Sequence, residues 1–148
     1  MNKSAHYMKM AIEAAAKAEW PFGAVIVKDG VVLAVAGAGS PHPDATAHSE
    51  VNAIRMACTA LGTESLKGAT MYASCEPCLM CFAATWYADI HHLVYGSTLA
   101  DMQTILTHSG PHLAAHPQQI VLSGLMIESG LLQDEVMGMY RNHPKAVT

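Results

Sequence analysis

The sequence predicts a three-layer α-β-α sandwich, with helices on both faces of a central sheet of about five strands. Three observations carry that prediction. Segments of strand character alternate with segments of helical spacing, the pattern that lays helices over a sheet. The 148 residues suit one domain, and 51% hydrophobic against 14% charged residues is ample for a buried core. No internal repeat, low-complexity tract or linker divides the chain, so residues 1–148 are read as a single domain.

The elements follow in order. From Lys3 to Glu19, Met8, Ile12 and Ala15 recur at helical spacing while Lys9, Glu13 and Lys17 fall on other faces, so a helix is expected, ended by Pro21. Phe22 to Lys28 and Val31 to Ala36 read as two strands joined by a tight turn at Asp29-Gly30. Gly37 to Ala45, with two glycines and two prolines, reads as a loop. A helix from about His48 to Leu61 has Val51, Ile54, Cys58 and Leu61 on one stripe. Ala69 to Ser74 is a short strand, and Pro77 fits the first turn of a helix reaching Tyr87. His92 to Tyr95 is a strand, Leu99 to Thr107 a helix and His108 to Gln119 mostly loop. Ile120 to Leu122 extends without a clear place, Leu125 to Glu128 is a last strand and Leu132 to Arg141 a last helix.

Charge and cysteine content narrow the function. The net charge is −4, and the eight basic residues are scattered without a run or stripe. Nucleic-acid binders usually carry a basic footprint, so this balance argues for a small neutral substrate and against nucleic acid. No apolar run reaches the ~18–20 residues of a membrane span, and the first residues lack the apolar stretch of a signal peptide. Of the four cysteines, Cys75, Cys78 and Cys81 lie within seven residues. Such crowding without an export signal points to metal or redox chemistry in a reducing, cytoplasmic compartment.

Two short motifs carry the chemistry: His48-Ser49-Glu50 and Pro77-Cys78-Leu79-Met80-Cys81, each at a helix start. One imidazole and two thiolates supply three ligands for a tetrahedral zinc and leave the fourth position to water, as in catalytic sites. Cys78 and Cys81 share one helix face, and a helix N-terminus favours thiolates. Glu50 is the carboxylate nearest in sequence to carry protons beside such a water. Two other readings of the cysteines stay open. Cys75 would close a structural Cys3His site in a non-catalytic zinc protein, or the Cys-x2-Cys-x2-Cys run would begin an iron–sulfur site, although Thr85 stands where its fourth cysteine belongs. The bland reading of Cys75 and Cys58 is packed core, and His108, His112 and His116 read as surface loop.

His-x-Glu followed by Pro-Cys-x-x-Cys is similar to the signature of zinc-dependent nucleobase deaminases. The chain resembles the cytidine deaminase-like superfamily, and within it the branch of bacterial guanine deaminases and tRNA adenosine deaminases. The stretches Pro21–Gly30, Asp44–Glu50 and Ser74–Cys81 carry the resemblance. It implies a mixed central sheet, a homodimer, zinc held by His48, Cys78 and Cys81, and Glu50 as the catalytic proton carrier. It also implies that the Ser49 backbone N–H faces a substrate carbonyl, although the family usually has Ala there, and that Phe22 lines the base pocket. Asp101 matches an aspartate with which guanine deaminases accept hydrogen bonds from guanine. From their place after the cysteine helix, Tyr87 or Trp86 is a candidate wall of the pocket, with core packing the other reading. The implied reaction is hydrolytic deamination of a free nucleobase, guanine or a related aminopurine. A nucleoside such as guanosine or cytidine, and then tRNA, are the alternatives. One departure stands out: the branch usually carries an Asn about eleven residues before the metal histidine, where this chain reads Ala36-Gly37-Ala38-Gly39-Ser40.

Overall fold

A computed structural model describes residues 3–107 and 112–146. The elements are α1 (Lys3–Lys17), β1 (Trp20–Lys28), β2 (Val31–Ala38), α2 (Ser49–Leu61), β3 (Thr70–Cys75), α3 (Leu79–Tyr87), β4 (His92–Ser97), α4 (Leu99–Gln103), α5 (Pro117–Ser123), β5 (Met126–Glu128) and α6 (Gln133–Asn142). The five strands form one sheet in the order β2-β1-β3-β4-β5. β1 runs antiparallel to β2 and β3, while β3, β4 and β5 are mutually parallel neighbours, so the sheet is mixed as expected.

The hairpin forms where its turn chemistry directs it. Asp29 and Gly30 both have positive φ, 51° and 75°, the conformation whose twist matches two antiparallel strands. Beyond it, side chains alternate across the sheet. Ala24, Ile26, Met71 and Leu93 pack with Ala53 and Ala57 of α2 on one face. Val25, Val27, Tyr72 and Val94 pack with Met8 and Ala11 of α1 on the other. These two cores are the seams of the three-layer sandwich. A third cluster, with Cys75, Leu99, Met102, Val136 and Tyr140, joins α4 and α6 to the end of β3.

Several boundaries differ from the sequence reading, each for a physical reason. Pro21 does not end α1, which stops at Lys17; it sits buried inside β1. The strand is irregular there, with Trp20 paired to Ala38 and Gly23 to Gly37, and a bulge is where a sheet tolerates proline. Gly37 and Ala38 extend β2 instead of opening a loop. They do so because the ladder to β1 continues through them, Gly37 opposite Gly23 and Ala38 opposite Trp20, and Gly37 fits there without a Cβ, which would lie 2.6 Å from Ala18 Cβ. Pro77 precedes α3 rather than entering its first turn, because Cys78 is the N-cap. α4 is shorter than Leu99 to Thr107, and Pro117 opens α5 in place of the expected loop. Proline is favoured at the first helical position, and His116 completes a capping box with Gln119. Ile120 to Leu122 therefore lie in this helix, and His108 falls outside the described residues. Among the described residues, no helix is long and apolar enough to cross a membrane.

Candidate active site

Two helix N-termini converge at one end of the sheet. His48 is the N-cap of α2 and Cys78 the N-cap of α3; neither side chain makes a cap hydrogen bond, so both are free to point elsewhere. Cys81 follows in the first turn of α3. His48 Nδ1 lies 3.5 Å from Cys78 Sγ and 3.4 Å from Cys81 Sγ. All three donor atoms fall within 4.8 Å of one another. A tetrahedral zinc with ordinary Zn–S and Zn–N bonds would hold such nitrogen and sulfur atoms about 3.6 Å apart, so the set fits the ion. Cys75 is not among the converging donors. Three protein ligands leave one tetrahedral position open, which is the catalytic arrangement rather than the closed structural one.

The electrostatics agree with this chemistry. Hydrogen bonding to Cys81, and after burial to His48, brings the Cys78 thiol down to about 4 despite burial. Cys81, the donor in that bond and itself buried, is pushed up. His48 is raised by its bond to Cys78 more than burial lowers it. Cys75 is an ordinary buried thiol beside Tyr140 and Ser97, pushed up to about 12 by desolvation. Glu50, in the first turn of α2, is buried, and desolvation raises its carboxyl above the ordinary range. A carboxyl whose pKa is drawn toward neutrality suits proton transfer in both directions.

A cavity of about 570 Å³ opens onto this centre, with His48, Glu50 and Cys78 in its wall. Its outer wall is the loop from Gly39 to Ala47. Gly39 N–H donates to Ala47 C=O at 2.8 Å and closes the loop. The Asn52 side-chain amide then donates to Gly37 and Gly39 carbonyls, each at 3.0 Å, and to that of Ala47 at 3.4 Å. Asn52 is one helical turn from His48 on α2, so the helix that carries a metal ligand also holds the wall.

The expected site residues divide. The structure brings His48, Cys78, Cys81, Glu50 and Phe22 to the cavity or its floor. Ser49 is fully buried beside them but does not line the cavity, and its hydroxyl has no hydrogen-bond partner among the described residues. Asp101 is not in the lining; its carboxylate accepts from Gln133 Nε2 at 2.7 Å, and its N–H donates to Thr98, the N-cap of α4. Tyr87 is not in the lining either: it ends α3 at 79% exposure, its ring against Trp86. Sequence reasoning missed two residues, Asn52 and His112. Asn52 reads in sequence as one more polar residue of a helix. His112 reads as surface loop, yet its ring stands 6.3 Å from that of His48 and 5.9 Å from that of Phe22.

The sandwich and its open three-donor centre define a zinc-dependent hydrolase. Residues 1–97 match the family model of the cytidine and deoxycytidylate deaminase zinc-binding region, and the chain belongs to that family of zinc deaminases. It is 46% identical over 102 residues to a tRNA-specific adenosine deaminase of Agrobacterium fabrum, covering 66% of this chain and 67% of that protein. It is 45% identical over 82 residues to the guanine deaminase of Bacillus subtilis, covering 55% and 53% respectively. A solved tRNA:A34 deaminase, from a study of A-to-I editing at the wobble position, superposes with a TM-score of 0.74 at 36% identity, over 90% of this chain and 98% of that one. The chain thus spans about two thirds of the first curated relative's length and about half of the second's.

Proposed function

We propose that this chain hydrolytically deaminates a free nucleobase, guanine or a related aminopurine. The cavity carries the proposal. It ends on the three donors and Glu50, has Phe22 in its wall, and shows no lysine or arginine among its lining residues while Glu19, Asp44 and Glu76 are there. A polyanion, or a nucleotide phosphate, would meet three carboxylates there, with Arg55, 3.9 Å from Asp44, the cation beside them.

His48, Cys78 and Cys81 hold the zinc, which when bound supplies a nucleophilic hydroxide at neutral pH. Glu50 takes the proton released as water is activated and delivers it to the departing amine. The C–NH2 bond of the ring breaks, a C=O bond forms, and ammonia leaves. The raised pKa of Glu50 lets it hold that proton between the two transfers. Phe22 gives the ring a flat apolar surface. Asp101 stands outside the cavity lining, its carboxylate held by Gln133.

A second reading has its own support: relatives named tRNA-specific adenosine deaminases match this chain as well as the guanine deaminase does. One experiment separates the two. Ammonia release by the zinc-loaded protein is measured against guanine, guanosine, adenine, adenosine, cytosine, cytidine and tRNA. Release from guanine or a related free purine is the expected result. Release from tRNA alone, falling steeply with salt, would replace the nucleobase reading with the tRNA one.

A homodimer and a cytoplasmic setting belong to the same proposal. Trp86, Tyr87, Val121, Leu122 and Met126 are exposed on α3, α5 and β5, and Trp86 Nε1 binds Ser123 C=O across them. Such apolar exposure suits a self-interface, which sedimentation of the purified protein tests.

A further inference from the structure

We propose that His112 is a specificity-determining residue: with Phe22 it forms an aromatic corner in which the substrate lies face-on to one ring and edge-on to the other, so that a two-ring purine, long enough to touch both, is held better than a one-ring pyrimidine. The inference rests on the nucleobase reading above.

His112 stands on an extended strap, residues 112–116, that crosses the start of α3. Leu79 N–H donates to Leu113 C=O at 2.5 Å, and Cys78 forms an antiparallel bridge with Ala114. The strap is therefore fastened to the backbone of a metal ligand. Extended backbone sends successive side chains to opposite sides. Leu113 accordingly faces outward, 70% exposed, while His112 lines the cavity. His112 is not one of the converging donors, so its ring serves the substrate side of the centre rather than the ion.

The corner is braced from two directions. The Phe22 ring has Tyr140 edge-on behind it at 6.3 Å, and the Tyr140 hydroxyl is paired with Ser97 at 2.8 Å. His112 meets Phe22 edge-on, with centroids 5.9 Å apart and planes at 62°. At 62° the two rings make a corner rather than one flat surface, so a flat substrate lies face-on to one and meets the other edge-on. A fused bicycle reaches both, whereas a monocycle positioned at the metal centre reaches only part of the corner. Loss of one such aromatic contact weakens binding by about tenfold.

The test compares zinc-loaded wild type with His112→Ala and His112→Phe. Zinc per chain, kcat and KM on the purine and pyrimidine substrates are measured. Affinity for 8-azaguanine, a guanine isostere, is measured by calorimetry in a Glu50→Gln background so that no turnover intervenes. His112→Ala is expected to keep its zinc and hold kcat within about threefold. Its purine KM and 8-azaguanine Kd rise about tenfold, with a smaller change for pyrimidines, and His112→Phe restores most of the loss. Unchanged affinity in His112→Ala overturns the proposal. So does loss of zinc, which would make His112 a ligand, and so does a His112→Phe as weak as the alanine variant. A wild type that neither binds 8-azaguanine nor turns over any free ring overturns the nucleobase reading itself, before any change at His112, and the corner falls with it.

Discussion

Replacing Gly37 with alanine will weaken the fold although nothing about the backbone forbids it. Gly37 has no positive φ, so the objection is purely one of space. The added Cβ would lie 2.6 Å from Ala18 Cβ and 3.2 Å from Ala14 C=O. Ordinary contact between such atoms begins at 3.4 Å, so the end of α1 must retreat by about 0.8 Å or the strand must bend. Overpacking of this kind costs about 1–3 kcal/mol, and the shortfall here places it near the top of that range. Alanine returns about 0.4–1 kcal/mol by restricting the unfolded chain, which leaves a net loss of about 2 kcal/mol. For a chain of this length that lowers Tm by about 4–8 °C. The assay is a calorimetric melt of both proteins at equal zinc, since bound metal raises Tm by mass action. The double variant Ala18→Gly with Gly37→Ala removes the obstructing methyl and recovers most of the loss. A Gly37→Ala protein that melts with the wild type would refute the reasoning. The same crowding bars any longer side chain at Gly37, which would run into the end of α1 rather than toward the cavity.

The other expectations concern the centre itself. Glu50→Gln keeps one zinc per chain by elemental analysis while ammonia release falls by about 10²–10⁴-fold, and full activity would remove Glu50 from proton transfer. Cys75→Ser retains zinc, whereas Cys78→Ser or Cys81→Ser loses it; retention in all three would break the ligand assignment. Ser49→Ala raises stability by about 1 kcal/mol in a urea melt, because it deletes a buried hydroxyl that has no partner among the described residues. Zinc binding near neutral pH releases protons, about one to two per ion. The sign follows from His48 and Cys81: raised pKa values keep their protons on and make them compete with the ion, whereas Cys78, at about 4, is already a thiolate. Zinc affinity therefore falls as pH falls, and calorimetry in buffers of different ionisation enthalpy counts the protons; a buffer-independent heat would contradict this.

The hairpin and the metal centre were legible in the sequence because their information is local. Asp29-Gly30 dictates its own turn, and two helix starts announce the ligands through residue type and spacing alone. What sits around the substrate was less legible, because it depends on which distant segments meet. The resemblance places Asp101 at the base, yet in space its carboxylate accepts from Gln133 of α6. Tyr87 follows the cysteines closely in sequence, but α3 carries it along its axis and out of the wall. His112 arrives from a segment that reads as loop, and only the strap's bond to Leu79 shows why it is there. Proline misled in both directions: Pro21 sits in a bulge inside a strand, and Pro117 starts a helix.

The Asn52 amide turns the outer wall of the cavity into an exchangeable cassette. Residues 40–46 hang between two backbone points, Gly39 and Ala47, that are tied to each other and to α2. Their side chains are largely exposed, and the one printed bond from them to a metal ligand is a backbone one, His48 N–H to Thr46 C=O at 2.7 Å. A library confined to Ser40, His42 and Asp44 can therefore retune what enters, while one fixed carboxamide keeps the graft in register with the chemistry beneath it.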